Sequence, residues 1–170
     1  MRLLARGAKV NIRRGETKRR KTPTRGLVPL HGAAAVGNVA ALKVLLNNRA
    51  EVNVKSENGW SALHFAVRGG HTAAAELLIQ HGAAVNAKTS SGDTVLHVAA
   101  SRFTTDPSTL EVVLRNGADL DATNHENLKA IATATEEVVK VAIREEAERR
   151  RQMGLLKEDD NVKHLWFRNV

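Results

Sequence analysis

The chain has 170 residues, 42% hydrophobic and 26% charged, an ordinary balance for a soluble globular chain long enough to bury a core. Aromatic residues make up only 3%, Tyr is absent and Ala and Leu dominate, which favours close-packed helices over a β-sandwich. Cysteine is absent, excluding disulfides, thiol catalysis and thiolate metal sites, and the net charge of +8 sits in one place: residues 1–25 carry +9, residues 26–170 carry −1.

From the N-terminus, Met1 to Arg14 holds no apolar run long enough for a signal peptide. The most apolar stretch, Gly26 to Leu46, is broken by His31, Asn38 and Lys43 and does not read as a membrane span. Cytosol, nucleus or both are the expected compartments. Residues 1–11 contain Leu3-Leu4-Ala5-Arg6-Gly7-Ala8-Lys9-Val10-Asn11, a pattern that returns at Leu45 to Asn53, Leu78 to Asn86 and Val113 to Asp121. Residues 12–25 are a basic insert. Three gapless segments follow, opening on Gly26-Leu27-Val28-Pro29-Leu30-His31, Gly59-Trp60-Ser61-Ala62-Leu63-His64 and Gly92-Asp93-Thr94-Val95-Leu96-His97, a period of 33 at the histidines. They define units 26–58, 59–91 and 92–126.

Each unit reads as two helices and a turn. Pro29 suits a first helical position, where a missing N–H costs nothing. A short Ala-rich helix ends near Gly37, or near Gly69 and Gly70, and its small side chains let a neighbour approach closely. A second helix carries Leu42, Leu45 and Leu46, or Leu77, Leu78 and Ile79, as its apolar face. Gly82 and Gly117 stop it, and Asn58-Gly59 and Ser91-Gly92 supply hairpin-type turns. Arg49 stands in the place of the stopping glycine, so either it adopts a left-handed backbone at roughly 1 kcal/mol or Asn48 does so instead. The third unit holds two extra residues within Phe103 to Pro107, a contact loop or a silent insertion. No unit can bury its apolar face alone, so stacking makes the core.

The period and the Leu-His-x-Ala signature resemble ankyrin repeats, whose pattern is Thr-Pro-Leu-His-x-Ala. The resemblance covers roughly residues 1–135 and implies an all-α solenoid of antiparallel helix pairs joined by β-hairpin-like fingers. In that family the first helices and the fingers line a concave face that grips partner proteins. On this reading residues 1–11 are the second half of a repeat, leaving the apolar flank of the first full unit partly uncovered. A fragment of a larger ankyrin-containing protein is therefore one expectation. Residues 127–153 form a degenerate capping repeat. Asn127-Leu128-Lys129-Ala130-Ile131-Ala132 replaces the signature, and Glu136 to Gln152 reads as one long helix with Glu145/Arg149 and Glu146/Arg150 pairs in favourable order. Heptads are too few for a coiled coil. The tail, 154–170, carries Leu165-Trp166-Phe167 and reads as a segment folded back or as a docking peptide.

Candidate chemistry is sparse. His31, His64 and His97 lie on successive units, whose helices pack about 8–10 Å apart. Zinc ligands lie about 2 Å from the metal, so the three cannot share an ion. Their expected role is to satisfy backbone groups between units, helped by the Ser61 or Thr94 hydroxyl. His71 and His81 fall near helix ends and read as structural or exposed. The sequence holds no phosphate-binding glycine loop, nucleophile elbow or His-Glu-x-x-His helix, and the Glu136-Glu137 and Asp159-Asp160 pairs read as solvated. No catalysis, cofactor or metal is expected.

The expected partner is another protein, of acidic character if the insert takes part, met by a monomer. Candidate contacts are the finger residues Lys55, Glu57, Asn58, Trp60, Lys88, Ser90, Ser91 and Asp93. Ala35, Val36, Arg68, Gly69, Ser101 and Arg102 are expected on the same concave side. Trp60 reads either as a partner anchor or as packing against the neighbouring finger. The insert carries Arg13, Arg14, Lys18, Arg19, Arg20, Lys21 and Arg25, fourteen residues in all where about five would do. It reads three ways: a solvated loop, a nuclear import signal or acidic-partner contact centred on Lys18 to Lys21, or a nucleic-acid-binding segment that grips phosphates without sequence specificity. Thr22-Pro23 beside it would lower the local charge if phosphorylated.

Overall fold

The computed structural model describes Asn11, residues 26–101 and residues 107–154. Among them lie α1 (Pro29–Ala35), α2 (Val39–Asn47), α3 (Ala62–Arg68), α4 (Thr72–Gln80), α5 (Val95–Ala100), α6 (Pro107–Arg115), α7 (Ala130–Thr133) and α8 (Glu137–Gln152). Odd-numbered helices stack on one another in one layer and even-numbered helices in a second. The only β pairing among the described residues is two isolated bridges, Lys88 with Thr94 and Thr123 with Lys129. The chain is thus an all-α solenoid with short hairpin-like fingers.

The sequence period produces this packing directly. Leu30, Leu63 and Leu96 occupy the same place in successive units and are fully buried, as are Leu42 and Leu78 in the second layer. Each contributes about 1.5–3 kcal/mol relative to an exposed position. Ala34, Ala66 and Ala99 are buried on the first helices, where side chains this small leave room for the adjacent helix.

The three histidines explain how helices of six or seven residues begin. In each, Nδ1 accepts the backbone N–H of the residue before the helix: Val28 for His31 (3.2 Å), Ser61 for His64 (3.2 Å) and Thr94 for His97 (3.3 Å). The ring takes the place that Glu has in a capping box. An accepting Nδ1 puts the proton on Nε2, which donates to the Val54 carbonyl from His31 and to the Leu128 carbonyl from His97, both at 2.9 Å. Ser61 and Thr94 hydroxyls lie 2.8 Å from the same Nδ1 atoms, as their spacing predicts. His64 is the exception. Its buried Nε2 makes no hydrogen bond among the described residues.

Asparagine side chains fix the register between fingers. Asn53 donates from Nδ2 to Gly82 O (2.9 Å) and accepts the Ala84 N–H at Oδ1 (2.8 Å). Asn86 repeats both bonds one unit on, with Gly117 O (3.0 Å) and Asp119 N–H (2.8 Å). Asn11 joins the same series by accepting the Glu51 N–H at 3.2 Å. Its separation of 40 residues, against 31 for Asn53 with Ala84, is the space taken by the basic insert.

Adjacent fingers also touch through backbone. Ser90 N–H donates to Asn58 O and His125 N–H to Ser91 O, each at 3.0 Å. This closeness demands glycine. Gly59 has φ +74°, and a Cβ there would lie 2.6 Å from Ser90 N. Arg49 resolves the alternative left open by the sequence: it takes φ +62° itself, matching Gly82 at +83° and Gly117 at +82°.

The last unit is the degenerate one. Asn127 holds the left-handed turn of the missing glycine at φ +58°. With Ala132 in the histidine's place, no ring caps the helix, and α7 shrinks to four residues. α8 then closes the stack. Val139 and Ile143 face inward, together with Glu146. The expected surface pairs are rearranged: Glu146 binds both Arg149 and Arg150 at 2.8 Å, and Glu145 makes no ion pair among the described residues. Arg150 turns into the structure and donates to Leu114 O in the last turn of α6 and to Ala118 O just beyond it, both at 2.7 Å.

Candidate functional site

Where the fingers meet the first-helix layer, a groove of about 310 Å³ opens among the ends of α3, α5 and α7. Trp60 and Asp93 enter from the fingers, Arg68 from the last turn of α3, His97 and Ser101 from α5 and its C-cap, and Thr133 from α7. The repeat places Trp60 and Asp93 at equivalent positions 33 apart, so each finger delivers a different chemistry to the same wall.

Trp60 is half-buried. Its ring lies 5.3 Å from Phe65 and 5.7 Å from His64, and Phe65 is itself 5.3 Å from His31. The packing is thus against the adjoining helix, while the remaining surface of the ring faces the groove. The Arg68 guanidinium stands over the Trp60 ring at 5.2 Å, a cation–π contact. No acidic residue among the described ones forms an ion pair with Arg68. Burial pushes the Asp93 carboxyl up. Hydrogen bonds from Ser91 (2.6 Å) and Asn124 (2.9 Å), with His97 and His125 nearby, outweigh it and hold the pKa below the usual aspartate value. Burial also holds His64 down to about 4, beyond what the Asp93 and Ala87 backbone can offset.

The other expected contact residues lie outside the groove, on the fingers. Lys55 and Lys88 are exposed along their stems, yet their ammonium groups donate to the next finger, at Lys88 O (2.8 Å) and Thr123 O (2.9 Å). Glu57, Asn58, Ser90 and Ser91 are exposed. Ala35 and Gly69 are also exposed; the Ala35 carbonyl accepts from His71 Nε2 at 3.2 Å, and His81 is exposed. Val36 is 69% exposed but lies on a different surface, the flank of α1 and α2. Arg102, the loop 103–106, the tail from 155 and the insert with Arg13, Arg14, Lys18, Arg19, Arg20, Lys21 and Arg25 lie outside the described residues. Thr133 was not foreseen as a groove residue, because the degenerate unit hides its register. Among the described residues no cluster of three or more His, Asp or Glu is placed to hold a metal. No helix among them is long and apolar enough to cross a membrane.

Stacked helix pairs, histidine-started first helices and finger rungs repeating every unit define a helical-repeat solenoid. Its sequence profile is that of ankyrin repeats, matching residues 30–124 as three copies. That span covers more than half of the 170 residues, and the chain belongs to the ankyrin-repeat family. Comparison with curated proteins gives no match. Ankyrin repeats generally mediate protein–protein interaction and are typically non-catalytic.

Proposed function

We propose that this chain is a non-catalytic adaptor that holds a partner protein in the groove between its first helices and its fingers, and that it acts as a monomer. The observation that carries this reading is the Trp60 ring. It is half-buried against Phe65 and His64, so it is already ordered, and it presents its remaining surface to a groove that the core does not fill. Ordered aromatic surface of this kind is what interface hot spots are made of. Pull-down from cell extract with wild type, Trp60→Ala and Ser101→Arg tests it, with circular dichroism verifying that each variant is folded. Partner capture is expected to fall at least tenfold in both variants; equal capture by all three rejects the groove. A single scattering mass above that of one chain rejects the monomer.

A second reading concerns the insert. Asn11 and Gly26, the described residues that flank it in sequence, lie beside the finger residues Glu51 and Glu57. A positive charge this concentrated in sequence suits nuclear import or an acidic partner. Replacing Lys18 to Lys21 by Ser is expected to abolish nuclear accumulation, and an unchanged distribution rejects import. Phosphate binding, the weaker alternative, requires affinity that falls steeply with salt.

A further inference from the structure

We propose that the groove recognises a carboxylate side chain on an acidic segment of the partner, bound by the edge of the Arg68 guanidinium. This rests on the groove being the binding surface, and it adds what the groove selects.

The guanidinium is planar. It carries five N–H donors around its edge and none on its faces. Its central carbon stands over the Trp60 ring at 5.2 Å, a contact that uses none of the donors in a hydrogen bond. Arg68 is exposed, and no described residue offers it a hydrogen bond or an ion pair. Arg68 therefore lines the groove with its donors unspent among the described residues. Two parallel N–H bonds from the edge of a guanidinium match one carboxylate, and a guanidinium already held against a ring loses less rotamer freedom on forming them.

The rest of the groove argues for a single negative charge. Asp93 is ionised, and its two oxygens already accept from Ser91 and Asn124. Each oxygen keeps a further lone pair, so an N–H of the bound segment can add to Asp93 without displacing those bonds. Its fixed charge also opposes a doubly charged phosphoryl group more than a carboxylate. Ser101 and Thr133 also line the groove; their hydroxyls donate to the Val98 and Ala130 carbonyls, which leaves lone pairs for N–H groups of the peptide flanking the acid.

The probes are twelve-residue Gly/Ser peptides with a central trio of Glu, Gln, phosphoserine or Lys. The protein is the full chain with Trp166→Phe, leaving Trp60 as its only tryptophan, and with Lys18 to Lys21 replaced by Ser to silence the insert. Trp60 emission should respond saturably to the Glu peptide, at least tenfold more tightly than to the Gln peptide. Arg68→Gln should remove that preference, and Arg68→Lys should keep only part of it. Equal binding of Glu and Gln peptides, a preference that survives Arg68→Gln, tighter binding of phosphoserine, or no response to any peptide overturns the proposal. The acid preference can fail while Ser101→Arg still blocks both peptides, which leaves the groove reading standing. Pull-down that ignores Trp60→Ala and Ser101→Arg removes the groove itself.

Discussion

The two ends of the described stack solve the same problem differently. At the C-terminal end α8 seals the last unit with Val139 and Ile143 and sends Arg150 inward to the carbonyls of Leu114 and Ala118, its charge balanced by Glu146. At the other end, the flank of α1 and α2 presents a groove of about 590 Å³ lined by Pro29, Gly32, Ala33, Val36, Ala41 and Val44. That surface has the small-residue, apolar character of an internal unit. One end is therefore closed by a buried charge network, and the other carries Asn38 as its one polar lining residue among the described residues. A terminal unit needs a polar outer face and satisfied helix ends, and only α8 shows both.

The contrast can be broken first at Arg150. Its side chain is 12% exposed and that of Glu146 9%, so Arg150→Ala leaves a buried carboxylate with Arg149 alone and the Ala118 carbonyl without its donor. We expect a loss of about 2 kcal/mol in urea denaturation. Arg151→Ala, whose pair with Glu148 is far more exposed, should change stability by less than about 0.5 kcal/mol. Equal effects would show that α8 is not sealed by its inner pair.

The middle of the stack should respond to acid. His64 is buried with its pKa lowered to about 4 from an ordinary 6.5. The unfolded chain binds a proton between these values when the folded one does not, so stability falls as pH drops from 6.5 to 4. The full effect is about 3 kcal/mol. His64→Gln should flatten that slope. An unchanged slope would assign the acid sensitivity elsewhere.

Two smaller tests address the N-terminal end. Arg49→Gly relieves a left-handed backbone and should raise stability by about 1 kcal/mol, read from the urea midpoint. Val36→Ser should change stability by at most about 0.5 kcal/mol. A loss of 2 kcal/mol or more would show that this flank is covered after all.

The fold was legible because it is periodic. Histidines 33 apart, the finger residues Asn53 and Asn86 and the glycine stops each recur, and each recurrence matches the same hydrogen bonds or the same turn. Even the single rung from Asn11 follows that register. The groove was legible only in part. Trp60, Arg68 and Asp93 were expected on the binding side. That Lys55 and Lys88 spend their ammonium groups on the next finger was not, because nothing in the sequence distinguishes a lysine reaching a carbonyl from one reaching solvent. Arg150 misled for a related reason. An i,i+4 pair reads the same whether its helix face points out or in, and only the tertiary position of Leu114 and Ala118 decides.

The rungs from Asn53 and Asn86, with the lysines beside them, tie each helix pair to its successor and to nothing further away. Such a molecule resembles a zip fastener more than a knot. Tension applied along its long axis should part the teeth in sequence, with force plateaus graded by the strength of each junction, and single-molecule pulling would read them out.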